Sequence, residues 1–188
     1  MKKILSFLLL ITAVATTTFA QTKVGEVTFP NKKQFGSHEL VLNGAGMREK
    51  LWFDLYAAGL YLNKKNSNAS AIASADEKMA IHMVIQSSIL STKKMIGALR
   101  DGFEDTNSEA TIKKIQPKID TFISFLKDEI NIDDSYTIVY EPAKGCEFFK
   151  NEKLLGTLEG MDFKTALFNI WLAKDPVDDD LKNNMLGK

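Results

Sequence analysis

Residues 42–62, LNGAGMREKLWFDLYAAGLYL, set a short charged tip between two largely apolar runs, and that arrangement admits few solutions other than a β-hairpin. Asn43-Gly44 interrupts the first run, as Asn-Gly pairs do at turns and bulges, and Gly46 and Gly59 thin the two strands further. With a tip at Glu49-Lys50, this hairpin leaves room on one face for a ligand or a crossing helix. Arg48 stands between the glycine pair and an apolar strand carrying Tyr56 and Tyr61.

Register decides what meets Arg48, because a slip of one residue exchanges the two faces of a strand. A two-residue tip places Arg48 on one face with Phe53, Leu55, Ala57, Gly59 and Tyr61. A tip longer by one residue gives it Trp52, Asp54, Tyr56, Ala58 and Leu60. Either register joins a tyrosine hydroxyl to the guanidinium, a pair suited to a planar anion such as a carboxylate. From the residues alone both registers stay open, as does a solvated Arg48 paired with Glu49.

The first twenty residues read as a secretory signal peptide: Lys2 and Lys3, an apolar run from Ile4 to Val14, and Thr18-Phe19-Ala20 before Gln21. The expected organisation is a leader over 1–20 and a single domain over 21–188 that is exported to the periplasm or secreted, with no membrane-spanning segment. The 24 basic and 24 acidic residues balance, so no nucleic-acid partner is indicated. Cys146 is the one cysteine and cannot form an internal disulfide. Beside Phe148 and Phe149 it reads as a buried structural thiol.

Further along, Lys23 to Phe29 reads as one strand ending at Pro30, and 31–37 as a polar loop. Asn68 or Ser70 caps a short alanine-rich helix. Met79 to Gln86 alternates as a strand with an apolar face, His82 lying on the other face. From Ser91 or Thr92 the spacing becomes helical through Met95, Ile96, Leu99 and Phe103, and Gly102 with the polar run 104–108 ends this helix. A second stripe, Ile112, Ile115, Ile119, Phe122 and Leu126, is helical, with a kink or a fresh start expected at Pro117. Residues 136–140, 146–150 and 153–158 form an antiparallel meander. Asp162 caps a helix bearing Phe163, Ala166, Leu167, Ile170 and Trp171 that packs on the sheet. The acidic run Asp178-Asp179-Asp180 caps a last short helix. This order argues an α+β domain with helices covering one face of an antiparallel sheet.

No nucleophile–histidine–carboxylate set, phosphate loop, or cysteine or histidine cluster for zinc can be assembled; no catalytic residue, metal or cofactor is expected.

Two blocks, LNGAGMRE with LYAAGLYL and GMDFKTALFNIWLAKDPVDDDLKNNMLG, resemble the chalcone isomerase-like family, in particular its bacterial exported branch. The resemblance implies an open-faced antiparallel β-sandwich with a layer of helices on the large sheet and a ligand between them. In the plant enzymes of that family the GxGxR arginine works with a threonine on the partner strand and with a tyrosine and an asparagine from a helix. Arg48 matches the arginine. Tyr56 stands at the threonine's position, and 89–106 offers no tyrosine or asparagine, Asn107 following just after.

Non-enzymatic relatives bind fatty acids in the same cleft through the arginine and a tyrosine. The resemblance therefore favours the longer register and implies a non-catalytic domain for a small amphipathic, fatty-acid-like carboxylate. It assigns ligand contact to Arg48 and Tyr56, or to Tyr61 in the other register. The alternatives are an isomerase or intramolecular lyase, and a structural or interaction domain whose cleft is filled by bulky groups such as Trp52.

Overall fold

The structure, a computed structural model, describes residues 21–188; the leader expected over 1–20 lies outside the described residues. Nine strands are described: β1 (Gln21–Val24), β2 (Val27–Pro30), β3 (Lys32–Phe35), β4 (His38–Lys50), β5 (Phe53–Leu62), β6 (Met79–Ile85), β7 (Ser135–Glu141), β8 (Gly145–Lys150) and β9 (Lys153–Leu158). Five helices accompany them: α1 (Ala69–Ser74), α2 (Thr92–Thr106), α3 (Glu109–Ser124), α4 (Met161–Leu172) and α5 (Asp179–Met185). Strands β3 to β9 form one antiparallel sheet in chain order, while β1 and β2 pair separately. The helices cover one face of the large sheet and the β1–β2 hairpin covers part of the other.

One bulge decides how β4 faces this sheet. Leu42 pairs with Tyr61 and Gly44 with Leu60, so Asn43 is an extra residue in β4. Before it, Leu40 and Leu42 face the β1–β2 hairpin. After it, Gly44, Gly46 and Arg48 face the helices, where a Cβ on Gly44 or Gly46 would strike Asn184 of the α5 end. The glycine pair thus makes room for a crossing helix rather than for a ligand. Asn43 fixes the crossing: its Nδ2 donates to the carbonyls of Met185 (2.8 Å) and Asn66 (2.9 Å), and its Oδ1 accepts from the Asn66 amide (2.7 Å).

Helix α4 is apolar over most of its circumference, with Asp162, Thr165 and Asn169 sharing one half-buried side, and it is buried among the other helices as well as against the sheet. Lys164, wholly buried on it, donates to the carbonyls of Ile72, Ala73 and Ala75 at 2.8–3.1 Å and so closes the C-terminal end of α1. Burial pulls its pKa down to about 8. Cys146 is buried, as expected, and its thiol is pushed up to about 12 by that burial.

Several expected boundaries are corrected. Residues 23–29 are two strands joined at Gly25-Glu26, not one, and 32–35 is a strand rather than a loop. Helix α2 continues through Gly102 to Thr106, the glycine allowing Ile170 of α4 to approach. Helix α3 passes Pro117 without a fresh start, with Pro117 and Lys113 both on its exposed face. Gly160, not Asp162, is the N-cap of α4; Asp162 sits in the first turn, accepting from the Phe163 amide. His82 lies on the face away from the helices, bonded to Thr137 (2.8 Å) and near Lys33, and burial and that cation lower its pKa to about 4.

Candidate functional site

Arg48 pairs with Tyr56 across the central hairpin, so the face predicted by the longer register is the one observed. The tip itself differs from expectation. Strand β4 runs on through Glu49 and Lys50, the turn is Leu51-Trp52, and a bulge between Arg48 and Glu49 changes the parity. Tyr61 is on the opposite face, with its hydroxyl on the Pro30 carbonyl (3.2 Å) and its ring edge-on to Phe35. It does not meet Arg48.

Two residues that sequence reasoning did not connect to the site complete it. Asp178 accepts from Arg48 Nη1 at 2.9 Å, with the two side chains only 18 and 12 % exposed. Its other oxygen caps α5 by accepting from the Leu181 amide at 2.8 Å. The expected capping role is therefore correct, but Asp178 also neutralises the cation. Trp171 Nε1 donates to the Tyr56 hydroxyl oxygen at 3.0 Å. These partners lie 130 and 115 positions apart, beyond any local pattern, although both fall in the C-terminal block that carries the family resemblance.

Below this polar pair of pairs, a cavity opens between sheet and helices, walled by Met83, Met95, Leu99, Phe122, Ile138 and Phe148. Counting its open mouth and the gaps along its walls, the empty space is about 850 Å³, solvent at the mouth included. The part wide enough for a whole water is about 90 Å³, several times the ~10–15 Å³ one water needs and below the roughly 300–1,000 Å³ usual for ligand pockets. The methionines give the wall adaptability. Trp52, considered above as a cleft filler, is instead on the exposed hairpin tip, and Trp171 closes the upper end.

Burial raises the pKa of Tyr56 above the ordinary phenol range, against the lowering effects of the Trp171 bond and the Arg48 charge. The hydroxyl is a neutral donor at physiological pH. With Trp171 donating to its oxygen, its hydrogen has no protein acceptor among the described residues, and neither have Nε and Nη2 of Arg48. Asn107 contributes nothing here: it bonds the Phe103 and Ala166 carbonyls and the Asn169 amide, locking α2 to α4. Among the described residues no cluster of three or more metal-ligating side chains occurs, and no helix is long and apolar enough to cross a membrane.

A search of curated proteins by sequence finds no match. Among solved structures, the crystal structure of AtFAP1, an Arabidopsis thaliana fatty-acid binding protein, superposes with a TM-score of 0.70 at 15 % identity. The match covers 86 % of this chain and 92 % of that one. At that identity the likeness speaks for the fold, an antiparallel sheet with a helical layer. The family model described as chalcone isomerase-like matches residues 21–187, nearly the whole chain, and by that match the protein belongs to the chalcone isomerase-like family.

Proposed function

We propose that this domain is a non-catalytic binder of an amphipathic, fatty-acid-like ligand, with its anionic head at Arg48 and Tyr56 and its apolar part in the cavity below. The observation that carries the reading is the pair of unengaged donors, the Tyr56 hydroxyl hydrogen and the free edge of Arg48, at the top of an apolar void. A carboxylate accepts from both; an apolar chain satisfies the walls. The fatty-acid binding of the structurally similar AtFAP1 supports this choice of ligand class. A hollow cleft favours a binder over an interaction domain filled by its own side chains.

Fatty-acid titration of wild type and Tyr56→Phe tests it. Losing one neutral hydrogen bond is expected to weaken binding by about 0.5–1.5 kcal/mol, with mass spectrometry of lipids retained by the purified protein naming the native chain. Equal affinities would remove Tyr56 from the site. We further propose that residues 1–20 direct export, on the basic, apolar and small-residue order read above. The mature protein is then expected to begin at Gln21; recovery with Met1 intact would overturn this.

A further inference from the structure

The hairpin tip is built against the interests of the fold. Leu51 and Trp52 have φ of 49° and 72°, the left-handed region that a tight two-residue turn demands and that Asn and Gly adopt most readily. The β8–β9 turn of the same chain makes a similar bend at Asn151-Glu152, φ 47° and 67°, with polar residues and an asparagine first. At the β4–β5 tip the chain places leucine and tryptophan instead, 76 and 98 % exposed, followed by Phe53 at 49 %. Neither packing nor turn chemistry explains that choice, and such local violations point to function.

The remaining exposed large hydrophobics lie at the same end of the sheet. Ile89 follows the end of β6, Ile132 adjoins Asp133, whose amide bonds Ile85 at the end of β6, and Leu154 adjoins the Asn151-Glu152 turn. Among the described residues the other end carries none. The tip extends three to four residues beyond the last β6 pairing at Tyr56–Ile85, roughly 10–13 Å at strand rise. Arg48, Lys50 and Leu55, at the cavity mouth, adjoin it directly.

We propose that this end is a docking surface for the headgroup layer of a zwitterionic lipid bilayer, with Leu51, Trp52 and Phe53 as the inserted wedge, so that an amphipathic ligand passes between bilayer and cavity through the mouth beside them. The purpose of the docking rests on the ligand reading above; the surface itself does not. Two observations choose the bilayer over a protein. The largest exposed apolar side chains sit on a turn that projects about 10–13 Å beyond the last β6 pairing, a wedge rather than the broad complementary face of ~800 Å² that each member of a stable protein pair buries. The exposed charges at this end of the sheet are mixed, Glu49, Lys50 and Asp54 at the tip and Glu152 and Lys153 at the β8–β9 turn. That mixture complements a headgroup layer of both signs and gives no preference for an anionic one. Tryptophan suits the depth, with an apolar ring and an N–H that stays at the wet boundary.

The test mixes the purified protein with phosphatidylcholine vesicles, with and without phosphatidylserine, and reads tryptophan emission and co-sedimentation. Trp171 is 2 % exposed, so a blue shift on vesicle addition reports Trp52. The variant Leu51→Asn/Trp52→Gly installs the residues this turn favours; it is expected to melt no lower than wild type while its partition into vesicles falls at least about tenfold, because binding scales with buried apolar area. Its affinity for octanoate in vesicle-free solution stays at the wild-type level. Wild type remaining in the supernatant without a blue shift overturns the proposal, as does equal partition of the variant. Binding confined to anionic vesicles and abolished by salt overturns it too, and so does a tip-dependent dimer that ignores vesicles. Wild type that docks on vesicles but takes no fatty acid upholds the surface and removes the ligand reading instead.

Discussion

Gly44→Ala is expected to lower the thermal midpoint by about 10–20 °C. An alanine Cβ at position 44 would lie 2.0 Å from the Asn184 carbonyl oxygen and 3.0 Å from the Met185 carbonyl oxygen and the Gly187 nitrogen. All three are backbone atoms, so no rotamer relieves the clash. Overpacking costs about 1–3 kcal/mol when side chains can yield. Here α5 must lift from β4, and the wholly buried Leu181 and Met185 each return part of the roughly 1.5–3 kcal/mol that burial gives. The sum is about 4–6 kcal/mol, and each kcal/mol shifts the midpoint of a domain this size by about 2–4 °C.

Two companions bracket that result. At Gly46 the nearest atoms belong to the Asn184 side chain, 2.7 Å away at closest, so alanine there costs less. At Gly97, inside α2, nothing lies within 4 Å, and alanine is expected to stabilise by about 0.5–1 kcal/mol through helix propensity. Calorimetry of the three variants checks the order. A Gly44→Ala melt indistinguishable from wild type would mean that α5 does not sit against β4. The consequence reaches the site, because the N-cap of the displaced helix is Asp178, the partner of Arg48.

What the sequence made legible follows the range of the interactions involved. Caps at Asn68 and Ser91 bond amides three residues ahead, and each was readable as one of two polar candidates, beside Ser70 and Thr92, before a periodic run. The Asn43 bulge was readable for the same reason, as Asn-Gly within an apolar strand. Strand β3, KKQF, was not: its alternation is weak, and it is a strand because β4 offers it a partner edge. The site divides the same way. Arg48 and Tyr56 share a hairpin, so Arg48 had only two strand faces to choose between, and the bulge after it rather than a longer tip made the choice. Asp178 and Trp171 arrive from the far end of the chain through the packing of α4 and α5. Lys164 likewise occupies an apolar helix for a reason visible only when α1 ends against it.

Arg48→Ala is expected to cost the protein both stability and ligand. Were Arg48 an unpaired buried cation, its removal would relieve the empty fold of that charge. With Asp178 at 2.9 Å and 12 % exposed, removal instead strands a largely buried carboxylate, a loss of roughly 1–3 kcal/mol. Binding of a fatty acid is expected to weaken by a further 2–5 kcal/mol or so, as when one member of a desolvated charge pair is truncated. Asp178→Asn separates the two roles, because asparagine caps a helix as well as aspartate does while surrendering the charge. Stability then falls by the ion pair alone. Affinity moves the other way, by about 1 kcal/mol toward tighter binding, since Arg48 is released to the ligand and a like charge leaves the mouth. Titration and melting of wild type, Arg48→Ala, Asp178→Asn and the double variant give the coupling energy directly. Affinity lost in Asp178→Asn as in Arg48→Ala would show that Asp178 holds the guanidinium in place for the ligand rather than competing with it. Affinity unchanged in Arg48→Ala would leave the pair a strut between the central hairpin and α5.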